Sequence, residues 1–383
     1  MSSERQNLAV SSMEPTLLKS SDNLQTVIPG LNALAVNGLV PMFYPDKQVF
    51  CYTLKKTPAG MVQEGISPRY TAITLMGLHK LEQNGGTSPI DVQRTFDALL
   101  ADTGWIHNIG DLGLLHWLCA LVAPHRLEEF NRKLDVKNAL TRFPDAAERH
   151  TMYLSWFLTG LSHQALARPE MAQDSKDQAA ETFRIILRNQ GQRGIFAHGT
   201  GKGITGMVRG NMGSFADQVY PIYAFSRFAQ AYGDEKAAKR ALDCALTICE
   251  AQGPLGQWWW HYSSSTGKVA ETYPVFSVHQ HAMGPMALLA LGETLQSDFS
   301  PWIHKGLQWI DENELGINMR DDSVNVVWRC IGRNQVNRVW NLGVNALTGR
   351  EDREQRNNLR PLFECRPYEL GWLLYAFANW NRA

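Results

Sequence analysis

Three stretches decide the fold of this 383-residue chain: LRNQGQRGIF at 187–196, CEAQGPLGQW at 249–258 and WIDENELGIN at 309–318. Each ends an amphipathic segment and sets a glycine after a short polar turn. The glycines are Gly194, Gly256 and Gly316, at intervals of 62 and 60 residues. Such an interval holds two helices of roughly four to five turns with their loops. Beyond each glycine a loop leads into a more apolar segment: SFADQVYPIYAF (214–225), SVHQHAMGPMALLAL (277–291) and, after a longer gap, RPYELGWLLYAF (366–377). A polar outer helix thus alternates with a greasier inner one. Inner helices that are apolar all round must pack against one another. Closing about five to six such hairpins into a ring buries every inner face, whereas an open superhelix needs polar caps at its ends. The last segment, with Leu370, Trp372, Leu373, Leu374, Tyr375 and Phe377, is too apolar for a cap. The expected fold class is all-α, an α/α toroid.

Working outward, helices are expected at about 67–83, 90–101, 111–123, 125–141, 147–166, 170–190, 214–232, 235–251, 278–293, 300–313 and 361–380, from apolar spacing near 3.6. Ser67-Pro68 is an N-cap followed by proline in the first turn. Gly85-Gly86 and Gly233-Asp234 mark turns between helices. The segment 316–360 is mixed, with β-like VNVVW (324–328) and one further helix expected near 335–347. Residues 1 to about 30 read as a polar, poorly ordered lead-in. Residues 38–55 carry β-favouring residues between glycine and proline and predict a short hairpin or arm. The expected division is therefore 1–55, lead-in and arm, and 56–383, toroid.

Lys+Arg and Asp+Glu both number 37, so the formal charge is zero, and 44% of the residues are hydrophobic. A neutral chain gives no electrostatic reason to expect a nucleic-acid partner. No apolar run near 18 residues predicts a membrane span, and the N-terminus shows no secretory signal pattern. Cys51, Cys119, Cys244, Cys249, Cys330 and Cys365 are scattered through apolar segments. They read as small buried hydrophobes in a reduced cytoplasm, without zinc-site spacing. No cofactor or metal is expected, and composition fixes no oligomeric state.

Gln190…Gly194-x-Phe196 and Gln252…Gly256-x-Trp258 resemble the Gln…Gly-x-Trp repeat of squalene-hopene-type terpenoid cyclases. The wider hairpin pattern is similar to six-hairpin glycosidases and to toroidal polysaccharide lyases or epimerases. The resemblance covers residues 60–380 and implies a toroid with a central site. It departs from the cyclases in lacking the Asp-x-Asp-Asp acid motif. Asp321-Asp322-Ser-Val-Asn325 resembles one metal-binding motif of the ionising terpene synthases, without a second. Ala197-His198-Gly199 resembles a lanthionine-cyclase repeat, but that family's zinc ligands are missing.

In a toroid, the loops entering the inner helices gather at one end. Residues at those entrances then share a central bowl, which is what acid–base catalysis requires. The expected lining is Glu64, Arg69 and Tyr70; Asp111; Asp217 and Tyr220; Glu271, Tyr273, His279 and His281; Arg366, Tyr368 and Glu369. The richest segment is 256–285. Trp258 holds the repeat position, which leaves Trp259, Trp260 and His261 to bind substrate, the indoles by stacking on sugar rings or around a cation. His279 or His281 suits a general acid or base, since imidazole titrates near pH 6.5. His281 is the sharper candidate because Gly284 and Pro285 open the helix start beside it. Asp217 and Glu271 are the carboxylates for a glycosidase, and Tyr273 a proton carrier in a lyase or epimerase. Arg69 or Arg366 would then hold a uronate carboxylate. The glycine-rich run 198–213 lacks phosphate-loop spacing and reads as a loop over the cavity mouth.

Three functions follow. The first is a carbohydrate-active enzyme, of glycosidase, lyase or epimerase type, acting on a small-molecule or oligosaccharide substrate. The second is a terpenoid-cyclase-like enzyme, which needs a deep, dry, apolar cavity. The third is a non-catalytic binding or assembly module whose ring centre is plugged by side chains.

Overall fold

The computed structural model describes residues 18–200, 210–333 and 358–380. The glycine-rich run is thus described only at its ends, and the helix expected near 335–347 lies outside the described residues. Twelve principal helices are labelled here: α1 (Leu18–Leu39), α2 (Pro68–Gln83), α3 (Val92–Ala101), α4 (Ile109–Val122), α5 (Leu127–Lys133), α6 (Thr151–Ala167), α7 (Ala172–Leu187), α8 (Ala216–Tyr232), α9 (Glu235–Glu250), α10 (Gly284–Leu295), α11 (Ser300–Gln308) and α12 (Pro367–Phe377). A π-helical turn, His279–Met283, leads into α10. The even-numbered helices α2, α4, α6, α8, α10 and α12 pack each on the next in chain order, and α12 packs back on α2. Helices α3, α5, α7, α9 and α11 flank them, and α1 lies against α12 and α11.

The start signals act as expected. Ser67 Oγ accepts from the Tyr70 amide at 3.2 Å, with Pro68 next. Asp91, Asn108 and Asp234 cap α3, α4 and α9 in the same way. Several expectations need correction. The span 125–141 is broken into α5 and a short turn of helix at Ala139–Arg142, because Asp135 takes a left-handed φ of 48°. The last helix starts at Pro367 rather than at 361, after strands at Leu359–Leu362 and Glu364–Cys365. The segment expected as lead-in contains α1, whose Leu24, Ile28, Leu31, Leu34, Ala35 and Leu39 form one buried stripe. Pro29-Gly30 reads locally as a breaker, but burial of that stripe outweighs the single amide that proline removes.

The strands are short and sit in the loops. Strands β1 (Phe43–Tyr44) and β2 (Val49–Phe50) form the expected hairpin. Strands β3 (Thr53–Thr57) and β4 (Gly60–Glu64) join β13 (Glu364–Cys365). The sheet β5 (Met212–Ser214), β6 (His261–Ser263) and β7 (Val269–Glu271) is antiparallel, as is β8 (Val275–Phe276) with β11 (Cys330–Arg333) and β12 (Leu359–Leu362). Strands β9 (Arg320–Asp321) and β10 (Val326–Val327) pair within the mixed segment. Among the described residues, no helix is long and apolar enough to cross a membrane. All six cysteines are free and buried.

The repeat is a set of glutamine clamps. Gln190 Nε2 donates to the Gly194 carbonyl at 2.9 Å and to Arg240 on α9 at 2.9 Å. One repeat later, Gln252 Nε2 donates to Gly256 at 3.1 Å and to Trp302 on α11 at 3.0 Å. Gly194 and Gly256 take φ of +85° and +97°, and a Cβ on either would lie 2.4 Å or less from the Asp243 or Lys305 carbonyl. Inner helices are tied in by a second glutamine. Gln218 on α8 accepts from the Phe196 amide at 2.8 Å and donates to its carbonyl at 3.0 Å. Gln280 treats Trp258 alike, accepting from its amide at 3.1 Å. The third repeat has Glu312 where the first clamp needs an amide donor, and its Gly316 meets nothing.

The ring interior away from the entrances is filled by rings. Trp117 on α4 lies within 5.0–5.4 Å of His163, Tyr223, Trp372 and Tyr375, which come from three other inner helices, α6, α8 and α12. Tyr223 shares hydrogen bonds with His163 at 3.0 Å and Tyr375 at 2.7 Å.

Two outcomes test this packing. Gln218→Leu keeps the volume but orphans the buried Phe196 amide and carbonyl, so denaturant unfolding should show a loss of about 1–3 kcal/mol per orphaned group. A loss under half a kilocalorie would contradict the clamp. Acid stability is the second. Burial pushes His116 down to about 4 and His279 and His281 to about 3, and holds His163 well below the ordinary 6.5. Such a histidine takes its proton only on unfolding. Stability is therefore flat above pH 6.5 and falls as pH drops from there toward the folded values, by up to about 1.4 kcal/mol per unit for each ring. Unfolding titrations between pH 6.5 and 5 should show uptake of several protons, and His116→Gln should remove about one.

Candidate functional site

The inner-helix entrances carry an unbroken succession of polar and aromatic contacts. Arg69 Nε on α2 reaches Asp111 Oδ1 on α4 at 2.6 Å. Asp111 is buried, and its other oxygen accepts from Asn108 at 2.8 Å and the His107 amide at 3.2 Å. The Arg69 guanidinium also lies over the rings of Tyr153 and Trp156 on α6, at 5.7 and 5.9 Å. Tyr153 stands 5.5 Å from His150, and His150 5.5 Å from His198.

His198 Nδ1 then meets Asp217 Oδ2 at 3.1 Å. Asp217 has no exposed surface. Burial alone would raise its pKa, but His198 and the Ser214 hydroxyl and amide outweigh it and hold the carboxyl below its usual range. The same oxygen accepts from Ser214 Oγ at 2.8 Å and Ser214 N at 2.9 Å. Ser214 on β5 stands opposite His261 on β6, which stands opposite Glu271 on β7. Residues in register across antiparallel strands share a face. His261 Nδ1 is 2.6 Å from Glu271 Oε2. The His198–Asp217 pair is thus tied through Ser214 to the sheet that carries the His261–Glu271 pair. In both, a buried carboxylate grips a histidine that keeps 35% (His198) or 20% (His261) of its side chain exposed. A carboxylate on one ring nitrogen fixes the tautomer and the orientation of the ring.

Trp260 continues the succession, 4.8 Å from His261 and 4.8 Å from Phe276. Arg329 lies 5.0 Å over Phe276 and binds Glu369 Oε1 at 2.6 Å and Glu364 Oε1 at 3.1 Å. Burial raises the Glu369 pKa, and Arg329 works against it. Glu369 Oε2 accepts from the Arg366 amide at 3.1 Å in a capping box at the start of α12. Arg366 donates to Tyr70 Oη at 3.0 Å and to Glu364 at 3.3 Å. Tyr70, between Tyr368 at 4.5 Å and Tyr52 at 5.3 Å, closes the circuit beside Arg69.

The expected residues thus divide. Arg69, Tyr70, Asp111, Arg366, Tyr368 and Glu369 come together, as do Asp217, Trp260, His261 and Glu271. Glu64 is exposed on β4, 3.9 Å from Lys55, and is not at the entrances' polar contacts. Trp259 is 6% exposed and donates its indole N–H to the Ala251 carbonyl at 2.9 Å, so it packs beneath the loop. Tyr220 is buried, accepting from Trp372 Nε1 at 3.0 Å. Tyr273 is buried under the Arg333 guanidinium at 5.3 Å. His279 and His281 are 3% and 1% exposed. His279 is walled by Phe215, Trp260 and Phe276, and burial keeps both imidazoles neutral. Asp321 and Asp322 are spent within their own turn, on Ser323 and Arg320. No group of three His, Cys, Asp or Glu suits a metal among the described residues.

Sequence reasoning missed His198, His150, Arg329 and Tyr52 as members of the site. Ala197-His198-Gly199 is a usable signal, since it directly follows the first repeat. Arg329 has none, because only the β11 pairing brings it to α12. Replacing it by methionine leaves two carboxylates facing each other in a buried site. Arg329→Met should cost about 3–5 kcal/mol in thermal or denaturant unfolding, and a near-neutral result would show that Glu364 and Glu369 do not depend on it.

No family model matches the chain, and no curated protein matches it. Solved structures do. One is a possible member of the GH105 family from Klebsiella pneumoniae subsp. pneumoniae MGH 78578, at TM-score 0.57 and 12% identity over 94% of this chain and 93% of that one. Another is an unsaturated glucuronyl hydrolase specific for heparin, at TM-score 0.55 and 13% identity over 93% and 97%. A third is the unsaturated glucuronyl hydrolase of Bacillus sp. GL1, responsible for the degradation of glycosaminoglycan, at TM-score 0.55 and 14% identity over 94% and 96%. At this identity the likeness establishes the fold, and the chain has the α/α-toroid architecture of these glycoside hydrolases.

Proposed function

We propose that this chain is a carbohydrate-active enzyme, a hydrolase that cleaves a glycan fragment bound at the entrances of a barrel of six helical hairpins. The observation that carries the reading is the pairing of His198 with Asp217 and of His261 with Glu271 on either side of Ser214. Glycosidic cleavage needs one group to protonate the leaving oxygen and another to activate water. Two adjacent, oriented imidazoles supply both. The carboxylates expected to act directly, Asp217 and Glu271, act here through their histidines because both are buried. Proton transfer passes from His279, His281 and Tyr273 to His198 and His261 for the same reason.

Binding falls to the rest of the circuit. Trp260 is half-buried beside His261, and the Tyr52–Tyr70–Tyr368 stack lies opposite it in the succession. Aromatic planes of this kind suit the C–H faces of sugars. Paired arginines and carboxylates offer donors and acceptors to hydroxyls. The structural neighbours named as glucuronyl hydrolases support a glycan substrate, and unsaturated uronyl oligosaccharides are the first to try. The ion pairs at this end do not suit the dry cavity of a terpenoid cyclase. A non-catalytic, glycan-binding module remains the second reading, favoured by the aromatic plug around Trp117.

Cleavage of unsaturated and saturated uronyl oligosaccharides, followed by loss of the unsaturated chromophore and by reducing-end release, tests the proposal. His198→Ala should lower the rate about 10²–10⁴-fold with the melting temperature held. His281→Ala should instead lower stability, with activity lost only alongside folding. Binding without turnover across the panel would favour the module, and the reverse behaviour of the two histidine variants would return catalysis to the π-helical turn.

A further inference from the structure

Every arginine in the entrance circuit is already engaged. Arg69 faces Asp111, Arg329 faces Glu364 and Glu369, and Arg366 faces Glu364. Three guanidiniums against three carboxylates leave that surface without net charge. Recognition of an anionic substrate has to come from elsewhere.

A cavity of about 480 Å³ lies beside the His198–Asp217 pair, and Ala197 and Gly199, the residues flanking His198, are part of its wall. Its wall includes Arg149, Arg188, Gln192, Asn211, Ser264 and Ser265, and among the described residues it contains no carboxylate and no aromatic ring. Among the described residues, the side chains of Arg149, Arg188, Gln192 and Ser264 make no hydrogen bond or ion pair. The carboxylate next to Arg149 in sequence, Glu148, turns to His150 Nε2 at 3.1 Å instead. Arg149 itself sits at φ +52°, a left-handed conformation that costs energy in a residue with a side chain. Asn189 Nδ2 holds it there through the Arg149 carbonyl at 2.6 Å. The strain fixes where this guanidinium leaves the backbone.

The cavity is continuous with the acid–base sheet. Ser264 N donates to the Asn211 carbonyl at 2.9 Å, extending the β5–β6 pairing. Asn211 and Ser264 each lie three residues from the Ser214–His261 pair, a distance of about 10 Å at 3.3 Å per residue. We propose that this cavity is a subsite for the carboxylate or sulfate of a glycan unit adjoining the one held at the histidine pairs. Arg149 and Arg188 bind the anion, and Gln192 and the serines bind neighbouring oxygens. This inference rests on the glycan reading of the entrances, yet it is testable without turnover.

The experiment is calorimetric binding of three tetrasaccharides of equal length: unsulfated chondroitin, sulfated chondroitin and a neutral chitin fragment. The proteins are the full chain, its Arg149→Gln/Arg188→Gln variant and His198→Ala. Expected is tighter binding of the anionic sugars than of the neutral one, weakened by about tenfold or more per guanidinium in the arginine variant. Neutral-sugar binding should stay unchanged, and His198→Ala should retain the anionic preference. A larger loss for the sulfated sugar identifies sulfate as the preferred group, and an equal loss identifies the carboxylate. Equal binding of anionic and neutral sugars, or no change in the arginine variant, overturns the subsite. Arginine-dependent binding without any cleavage leaves the subsite standing and removes the hydrolase reading. Arg149→Lys/Arg188→Lys, which keeps the charge, should restore part of the preference if the double glutamine variant folds poorly.

Discussion

The amide side chains of Gln190, Gln218, Gln252 and Gln280 hold the ring in register. Each ties a turn or an inner-helix start to backbone of another element. Buried backbone groups must be paired, so a turn that ends an outer helix can be buried only if something supplies donors and acceptors. An amide does both with one planar group. Gly194 and Gly256 complete the device by letting the chain approach the next outer helix closer than any Cβ would allow. The entrances of α8 and α10 are positioned by these clamps.

The same offset of 62 residues that relates the clamps also relates Asp217 to His279, each directly before its clamp glutamine. One position of the repeat therefore carries two chemistries. At 217 the side chain meets His198 and Ser214 and stays charged. At 279 it meets Phe215, Trp260 and Phe276 and stays neutral. The scaffold repeats, and the loops decide what each repeat does. Loops on a rigid frame are where function commonly lies.

Electrostatics separates the site into parts. The α12 side balances each guanidinium with a carboxylate where α12 packs back on α2. The β5–β7 side sets two histidines, His198 and His261, each against a buried carboxylate. Beyond it, among the described residues, Arg149 and Arg188 are charges without partners. These are three environments within one end of one fold, and each follows from which loop reaches it.

The sequence by itself determined the hairpin repeat, most helix positions, the Ser67 cap and the end of the ring where the candidate groups meet. These rest on local spacing: 3.6-residue periodicity, a serine before a proline, a glycine at a fixed interval. It also supplied Asp217, Glu271, His261, Arg69, Asp111, Arg366 and Glu369 as candidates, because a helix entrance is a local feature. Only tertiary structure decided their partners. His198 reaches Asp217 because β5 turns beside it, and Arg329 reaches Glu369 because β11 pairs with β8 and β12. It also decided exposure: Trp259 and Trp260 are neighbours with the same side chain, yet one packs under the loop and the other faces the histidines. Helix α1 was hidden for the converse reason, since Pro29 and Gly30 act locally while the burial of its stripe acts through the whole ring. Periodicity is written in the chain, whereas burial and pairing arise only when distant segments meet.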